Sequence, residues 1–554
     1  MLASFGAAYL KGDPLAAGFL DGDFRDPLSL RAIVAQRTSQ RISVELAALL
    51  TTQQNPLGQS VARERHMQQL CAAQGAGVVV TGQQVGLFLG PLYTVYKAAT
   101  AVAAARTLSA QTGQPIVPLF WLQTEDHDYE EIRSCTIPSP NKGEPPLVLS
   151  LPPSDPAEQR MSVAYRQLGP EVDALLSELE SWLHPLPHSA DCLSLLRRHY
   201  VIGRSLAQAF SGLLCELFAD EGLLCLDPRQ PGQDTLPKLA APLYRNILTS
   251  HETLGSALLA RQRALSDRGF ACQIPVRPQS SLLFFHPDGE RSPRHRLQQH
   301  QQTGPDGHAS LLQWSIPQDG RRYSQSDLLA RMDSDPLSFG TSALVRPLVQ
   351  DTILPTVAYV GGPAELSYFA QVTPLYHALG IVQPVIMPRA RFRLIDESTR
   401  TALAKLALRA CDVEAPKDDI MLRLAQGKPA DVPSPQAVEE RLLAQLLSPL
   451  SEIDSLDPAL QDAVHTARRV MEKTAKKISL RYAQRLHEKD TVNSERIDRL
   501  QAAIFPSSTP QERLFSLPFY LAKYGLFGWK QRLFESLAAR SVFSADQSVR
   551  DIFL

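Results

Sequence analysis

The stretch AGVVVTGQQVGLFLGPLYTVYKAATAVAAARTL (residues 76–108), followed by PIVPLFWL (115–122), decides the fold. The β-branched run 76–82 ends in glycine and is typical of a buried strand that leads into a turn. The alanine-rich segment 91–108 is typical of a helix that packs closely on a sheet, and 115–122 again resembles a strand. A strand, a helix and a second strand in this order predict a βαβ unit of a parallel sheet.

The same pattern returns further along the chain. GLLCLDP (222–228) predicts another buried strand, and residues 356–387 predict a strand, a helix and a last strand. We therefore expect an α/β protein whose parallel-sheet core spans residues 1–395, with insertions at about 136–220 and 270–345.

The second insertion is expected to be rich in β-structure. Asp-Gly pairs occur at 288–289, 306–307 and 319–320. Each pair is favourable in a tight turn between two short strands. The sequence therefore predicts a small sheet within this insertion.

The chain after Asp396 is predicted to be helical, as a separate domain over 396–505. An alternating four–three spacing is shared by Leu460, Val464, Ala467, Met471, Thr474 and Ile478, and Ile497, Leu500 and Ile504 resume it. This spacing predicts an antiparallel coiled-coil hairpin of two stretches, about 396–450 and 456–504. Two amphipathic helices packed on the core are the alternative. The aromatic segment 506–554 is expected to dock back on the core.

Composition excludes several classes of protein. The chain has 554 residues, a net charge of −1 and 20% charged residues, so it lacks the basic excess of a nucleic-acid-binding protein. Its seven cysteines are odd in number and contain no C-x-x-C pair, which argues against a disulfide framework or a structural zinc site. The N-terminus does not resemble a signal peptide, and no apolar run approaches the ~20 residues of a membrane span. We expect a cytoplasmic protein with free thiols.

The glycine-rich loop after the first strand is the first candidate site. Gly82, Gly86 and Gly90 would let backbone amides approach an anion at the start of a helix. Gln83 and Gln84 would add polar side chains at the same edge of the sheet. Turns of this kind are common without any ligand, and Lys97 on the following helix has the alternative of a solvated lysine.

The second candidate is EDHDYEEI (125–132), which directly follows the second strand. Five carboxylates surround His127, and this crowding is expected to raise carboxylate pKa values and to favour a protonated imidazole. Asp126, His127 or Asp128 could serve as a general base, or the acids could bind Mg²⁺. The alternative is a helix N-terminus whose dipole favours acidic residues.

Two further segments follow later core strands. Arg346 precedes the strand at 356, and Gly361 and Gly362 lead into a helix whose first turn contains Glu365. Glu365 could bind a ligand or complement the helix dipole. After the last strand, arginines alternate at 389, 391 and 393 and could bind carboxylate or phosphate, or form a surface charge run.

Together these segments resemble one family, the bacillithiol biosynthesis cysteine-adding enzymes, which are cysteine ligases. The similar motifs are TGQQxGLFxGPLYTxxK (81–97), FWxxxEDHDxxE (120–131), RPLxQDTILPxxAYxGGxAELxY (346–368), PQER (510–513) and YLAKYG (520–525). They follow in the same order from about residue 76 to 530. The resemblance implies a Rossmann-like core of the nucleotidylyl transferase type and a C-terminal coiled coil that forms a homodimer.

The resemblance also implies an activity, the last step of bacillithiol synthesis, in which cysteine is joined to the amine of glucosaminyl malate. It implies substrate contacts from Gly82, Gln83, Gln84, Gly86, Gly90, Tyr93, Lys97, Arg346, Gly361, Gly362 and Glu365. It suggests a site for ATP or ADP at Arg389, Arg513 and Tyr524. The stretch GPLYT lacks the histidine pair of the nucleotidylyl transferases, so the way in which cysteine is activated stays open, as does any need for a metal.

The sequence leaves three functions to compare. In the ligase, a residue of the 126–128 triplet takes the proton of the amine, and amides of the 82–90 loop hold an oxyanion or phosphate. A metal-dependent hydrolase or deacetylase would use the acids of 125–131. A non-catalytic coiled-coil scaffold would need neither segment.

Overall fold

The computed structural model describes residues 3–141, 143–303, 310–426, 435–456, 460–488 and 491–554. The strands, in chain order, are β1 Ala3–Ser4, β2 Gly77–Gln83, β3 Ile116–Leu122, β4 Ser134–Ile137, β5 Leu147–Ser150, β6 Leu224–Leu226, β7 Phe270–Ala271, β8 Ser280–Phe285, β9 His295–Thr303, β10 Ser310–Ser315, β11 Arg322–Ser324, β12 Phe339–Thr341, β13 Thr356–Gly361, β14 Val385–Pro388, β15 Phe392–Ile395 and β16 Arg550–Phe553.

The first fifteen helices all precede β14. They are α1 Phe5–Leu10, α2 Pro14–Ala17, α3 Pro27–Thr38, α4 Val44–Gln54, α5 Val61–Cys71, α6 Tyr93–Thr112, α7 Tyr129–Ile132, α8 Glu171–Leu183, α9 Ser189–His199, α10 Leu206–Leu217, α11 Thr235–Thr249, α12 His251–Asp267, α13 Gln325–Ser334, α14 Arg346–Ile353 and α15 Pro363–Leu379. The later helices are α16 Glu397–Lys405, α17 Lys417–Gln426, α18 Pro435–Leu456, α19 Gln461–Glu488, α20 Thr491–Ile504, α21 Gln511–Leu514, α22 Pro518–Tyr524 and α23 Leu526–Ala539.

A parallel five-stranded sheet in the order β14-β13-β2-β3-β6 forms the core of the first compact unit. That unit contains residues 1–140, 145–392 and 515–550. Strands β2 and β3 are buried along almost their whole length, as expected for apolar runs covered on both faces. Helix α6 packs on both strands through a buried alanine-rich face. The predicted βαβ unit and the α/β fold class are confirmed.

The insertion after α12 forms a second, antiparallel sheet in the order β11-β10-β9-β8-β12. The Asp-Gly pairs at 288–289 and 319–320 lie between consecutive strands, as predicted, whereas the pair at 306–307 lies outside the described residues. The short strand β12 also joins this sheet, although no sequence pattern predicted it.

The second compact unit contains residues 141–144, 393–514 and 551–554. Helices α18 and α19 pack on each other as the predicted hairpin. The first stretch, expected to run from 396 to 450, is divided into α16, α17 and α18. One break lies at Ala407, whose φ of 50° interrupts a helix.

The predicted seam of α19 is correct only in part. Val464 is 5% exposed, but Leu460 and Ile478 are 43% and 44% exposed, and Thr474 is also exposed. The buried positions of the second half are instead Ala475 and Ser479. A heptad repeat has a period of 3.5 residues and an α-helix one of 3.6, so the buried face moves one residue onward along the helix.

The later apolar residues belong to a different cluster. Ile497, Leu500 and Ile504 of α20 pack with Leu403 and Ile420 from α16 and α17. They form a globular core within the second unit and do not continue the seam of α19. In the described ranges, no helix is long and apolar enough to cross a membrane.

Candidate active site

The candidate site lies at the carboxyl edge of the parallel sheet. The chain proceeds from β2 outward to β3 and β6, then returns to the other side of β2 as β13 and β14. Where the direction of winding reverses, between β2 and β13, the connections diverge and leave a crevice that commonly binds ligands. The predicted segments after β2, β3 and β13 all begin at this edge of the sheet.

The glycines after β2 are required by the packing of the chain itself. A Cβ atom on Gly82 would lie 2.7 Å from the Trp121 carbonyl oxygen, and one on Gly86 would lie 3.0 Å from the Cα atom of Gly90. Phe88, Leu89 and Gly90 have φ values of 49°, 73° and 63°, which form a tight reversal before α6.

The amides of this loop are engaged by other backbone groups. Gly86 N–H donates to the Gln84 carbonyl at 3.0 Å, and Gly90 N–H donates to the Leu87 carbonyl at 2.8 Å. At the start of α6, Leu92 N–H donates to the Phe515 carbonyl at 2.9 Å. The hydrogens of the Gly86 and Gly90 amides are therefore used within the loop, and the expectation that amides of the 82–90 loop hold an oxyanion or a phosphate stays a prediction.

Lys97 connects three segments of the crevice. Its Nζ atom donates to the Gly82 carbonyl at 2.8 Å and to Gln83 Oε1 at 2.9 Å, and it forms an ion pair with Glu365. An ammonium group has three hydrogens, so these partners satisfy it. Only 3% of the side chain is exposed, and the alternative of a solvated lysine is wrong.

Glu365 is held from three sides. Besides Lys97, its carboxylate accepts hydrogen bonds from the Tyr359 hydroxyl at 2.6 Å and from Gly362 N–H at 2.7 Å. Burial disfavours the charged carboxylate, but Lys97 and these donors outweigh it and lower the pKa of Glu365. The Gly362 contact is a helix cap, so Glu365 combines the predicted capping role with a buried ion pair. On the β2 side of the crevice, Gln83 Nε2 lies 3.4 Å from the Tyr93 hydroxyl.

Arg346 supplies a positive charge at the same crevice. It begins α14 and donates a hydrogen bond of 2.6 Å to the Tyr368 hydroxyl. Burial alone would lower its pKa, but Tyr368, Tyr359 and Glu365 together raise it, so the guanidinium stays charged. Among the described residues, only Tyr368 accepts a hydrogen bond from the Arg346 guanidinium, which leaves donors for an anionic ligand.

Asp126 is the most highly connected acid of the segment after β3. Its carboxylate accepts hydrogen bonds from Gln84 Nε2 at 2.9 Å, from the His127 amide at 2.7 Å and from Arg294 Nη2 at 2.5 Å. Burial opposes ionisation, but the charge of Arg294 and the backbone amide of His127 help to outweigh it, and the pKa of Asp126 is held well below its usual range. The expectation of a raised pKa is wrong for this residue, because a guanidinium and two amide N–H groups surround it.

The other acids have separate partners. Glu125 accepts from the amide and hydroxyl of Thr341, Asp128 accepts from the Glu131 amide at 3.1 Å, and Glu130 pairs with Arg133 at 2.6 Å. Asp128 therefore caps α7, as the alternative predicted. Burial and then Asp128 raise the pKa of Glu131, as expected from crowding.

No metal-binding group is evident in the parts of the chain that the structure describes: no three His, Cys, Asp or Glu side chains there are placed to hold an ion. Glu125, Asp126, Asp128 and Glu130 each have different partners, while Asp126 and Glu131 share one, Gln84. This arrangement does not favour the reading of a metal-dependent hydrolase.

The arginines after β14 do not form a surface charge run. Arg389 is 4% exposed, lies 5.6 Å from the centre of the Tyr93 ring and donates to the Ala390 carbonyl at 3.3 Å. Arg391 donates to the Gln547 carbonyl at 3.0 Å. Arg393 belongs to the second unit, where it pairs with Asp551 at 3.1 Å. Each arginine thus has its own structural partner.

The residues suggested for a nucleotide are divided between the two compact units. Arg389 and Tyr524 belong to the first unit, and Arg513, on α21, belongs to the second. The Tyr524 ring lies 5.2 Å from the Lys523 ammonium, and the Arg389 guanidinium lies 5.6 Å from the Tyr93 ring. A nucleotide site at these residues stays a prediction.

Sequence reasoning missed two groups of this site. Arg294 and Thr341 come from the antiparallel sheet, far from the motifs in sequence, and no local pattern distinguishes Arg294 from its neighbouring arginines. Tyr359 and Tyr368 belong to the motif 346–368. Their positions close to Gly361, Gly362 and Glu365 in sequence could have identified them as candidates.

The fold and the site at the carboxyl edge of the sheet define a class of protein: a Rossmann-like α/β enzyme that carries a C-terminal helical coiled coil. Two family descriptions match the chain in succession. "Bacillithiol biosynthesis BshC, N-terminal Rossmann-like domain" covers residues 3–390, and "Bacillithiol biosynthesis BshC, C-terminal coiled-coil domain" covers residues 392–540. The chain therefore belongs to the BshC family of bacillithiol biosynthesis.

Curated relatives agree with this membership. Proteins named "Putative cysteine ligase BshC" from Solibacter usitatus and Koribacter versatilis are each 32% identical, over 88% and 82% of this chain and 86% and 80% of theirs. One from Salinibacter ruber is 31% identical over 92% of this chain and 89% of its own. The protein is accordingly a ligase that forms a carbon–nitrogen bond, and neither the hydrolase nor the scaffold is favoured.

Proposed function

We propose that this ligase joins the carboxyl group of cysteine to the amine of glucosaminyl malate, and that the amide it forms completes bacillithiol. Membership of the BshC family carries the proposal. The crevice supports it chemically, because Arg346 offers a cation beside polar side chains, and glucosaminyl malate brings two carboxylates. Arginine is well suited to hold a carboxylate through paired hydrogen bonds.

In this proposal, some charged residues of the crevice hold its loops in place and others contact the substrates. Lys97 and Glu365 neutralise each other and hold the loops after β2 and β13 in place. Arg346, which is partly exposed, and His127, whose side chain is 36% exposed, contact the substrates. Preorganised groups of this kind lower the cost of orienting two reactants.

We further propose that ATP supplies the activation of cysteine and that two copies of the chain associate through α18 and α19. Amide formation from a free carboxylate needs an activated acyl group, and a nucleotide is the simplest donor. The hairpin leaves Leu446, Val470 and Ile478 exposed at 37%, 57% and 44%, and in this proposal they contact the second copy. The requirement for a metal is part of the same test.

The test is a reconstitution with purified protein. Glucosaminyl malate and cysteine are incubated with ATP, with ADP, without nucleotide, and with ATP plus EDTA, and mass spectrometry follows the cysteinyl amide. We expect product with ATP. A further mixture contains a synthetic cysteinyl thioester, which bypasses activation.

The five mixtures distinguish two failures. Product from the thioester alone would refute ATP as activator but keep the acyl transfer. No product from any mixture, with correctly folded protein, would refute the proposed function.

A further inference from the structure

The antiparallel insertion contacts the EDHD segment at two points. Arg294 lies just before β9, with its side chain 8% exposed and its guanidinium 4.2 Å from the centre of the Phe284 ring. Thr341, in the edge strand β12 of the same sheet, binds Glu125. The inserted sheet therefore contacts residues 125–127 through residues beside β9 and in β12, which indicates a role beyond filling space.

The guanidinium of Arg294 is bonded to three successive residues. Nη1 donates to the Glu125 carbonyl at 2.8 Å, and Nη2 donates to Asp126 Oδ1 at 2.5 Å. Nε and Nη2 lie 3.0 Å and 2.6 Å from Nδ1 of His127. The same arginine thus fixes the position of the imidazole.

The contact with Nδ1 determines where the imidazole proton lies. Nδ1 also lies 3.2 Å from Asp126 Oδ1, but that oxygen already accepts hydrogen bonds from the His127 amide and from Arg294 Nη2. Every nitrogen of a guanidinium is a donor and none can accept, so Nδ1 of His127 presents its lone pair to the two nearer nitrogens of Arg294. The proton of the neutral ring is then on Nε2. A second proton on Nδ1 would face two donor nitrogens of Arg294.

The free side of the ring is the side that can meet a substrate. Within the described chain no residue bonds to Nε2 of His127, and 36% of the side chain is exposed. A general base would need a lone pair on Nε2, which would place a hydrogen on Nδ1 against Arg294. The geometry therefore favours a donor at Nε2 and disfavours a base.

We propose that Arg294 is a positioning residue that keeps His127 neutral, and that His127 donates its Nε2 hydrogen to the carbonyl oxygen of the activated cysteine. This inference rests on the proposed function. The amine nitrogen forms a bond to the acyl carbon, and the carbonyl electron pair moves to the oxygen that His127 contacts. The pair then returns, the bond to the phosphate leaving group breaks, and the amine proton passes to water. His127 stabilises the oxyanion without losing its proton.

The tautomer can be measured without the reaction. Nitrogen-15 NMR of protein labelled at histidine, with His127→Gln for assignment, should show a neutral His127 with hydrogen on Nε2. Arg294→Met should abolish that single tautomer, and circular dichroism checks its fold. A wild-type spectrum with hydrogen on Nδ1, or with a charged ring, would overturn the proposal.

The catalytic role has its own pair of variants. Glutamine carries an amide donor near the position of Nε2 but cannot act as a base, whereas leucine offers neither. We expect His127→Gln to retain kcat within about tenfold of wild type and His127→Leu to lose about a hundredfold or more, since one such donor contributes about that factor. Equal loss in both variants would overturn the donor role. If wild type forms no product at all, the proposed function fails, while the NMR result still decides the positioning by Arg294.

Discussion

The ammonium group of Lys97 forms a buried ion pair with Glu365 across the crevice between β2 and β13. The two residues belong to motifs that are far apart in the chain, and each also binds the backbone of its own segment: Lys97 the carbonyl of Gly82 near the end of β2, and Glu365 the amide of Gly362. The pair therefore joins the two loops at the point where the sheet reverses its winding.

Replacing Lys97 by methionine should destabilise the first unit strongly. The substitution leaves the Glu365 carboxylate buried without its cation, and breaking a buried pair in this way costs about 3–5 kcal/mol. Urea denaturation measures the free energy of unfolding. The matched control is the double variant Lys97→Met, Glu365→Gln, which removes both charges and should lose clearly less than the single variant. A single variant as stable as wild type would contradict the finding that the pair holds the loops.

Arg346→Ala should weaken substrate binding with little effect on folding. We expect the KM for glucosaminyl malate to rise about 10–100-fold, since a charge-assisted hydrogen bond contributes about 1.5–3 kcal/mol. Tyr368→Phe is the matched control, because it removes the hydroxyl bonded to Arg346 and keeps the charge. Steady-state kinetics on both variants should show the large effect only in Arg346→Ala. Equal effects would mean that Arg346 acts through Tyr368.

Because of Asp227, the free energy of unfolding should fall as the pH rises from about 4 to 6. It follows β6, accepts from the Thr124 hydroxyl at 2.5 Å, and burial raises its pKa to about 6. In the unfolded chain the carboxyl titrates near pH 3.9, so between these values the folded state alone holds the proton. Stability then decreases with pH by roughly 2 kcal/mol across that window.

The matched variant is Asp227→Asn, which keeps an oxygen for Thr124 and cannot titrate. Urea denaturation at pH 4, 5, 6 and 7 on both proteins isolates this residue from the other ionisable groups. The difference in unfolding free energy should change in favour of the variant as the pH rises. Parallel curves would show that Asp227 ionises equally in both states.

The helical hairpin offers a test of its buried face. Ala475→Gln places a long polar side chain where the structure has no exposed surface, and it should destabilise the second unit by about 1–3 kcal/mol. Ile478→Gln, one turn further and 44% exposed, should leave the unfolding free energy within about 0.5 kcal/mol. If the predicted heptad seam were correct, the order of the two effects would reverse. Light scattering on Ile478→Gln also tests the proposed dimer, whose dissociation should become easier.

Local patterns were sufficient for the strands and their edges. Apolar runs such as 76–82 and 115–122 can only be stable when covered on both faces, so a parallel sheet follows from them without long-range information. The Asp-Gly turns follow from backbone preferences of two adjacent residues. The predicted seam of α19 is wrong beyond Met471. Over a few helical turns, the sequence pattern of a heptad repeat with a period of 3.5 residues is too similar to that of a straight helix with a period of 3.6 to distinguish the two.

The sequence by itself determined which residue types gather at one edge of the sheet, because the carboxyl ends of parallel strands must face the same way. Only the tertiary structure decided their charge states and partners: that Lys97 neutralises Glu365, that the amides of Gly86 and Gly90 are used within their loop, and that Arg294 reaches His127. Hydrogen bonds and Coulomb interactions act over a few ångströms in space, and residues such as Arg294 and His127 come that close only when an inserted sheet folds back on the core.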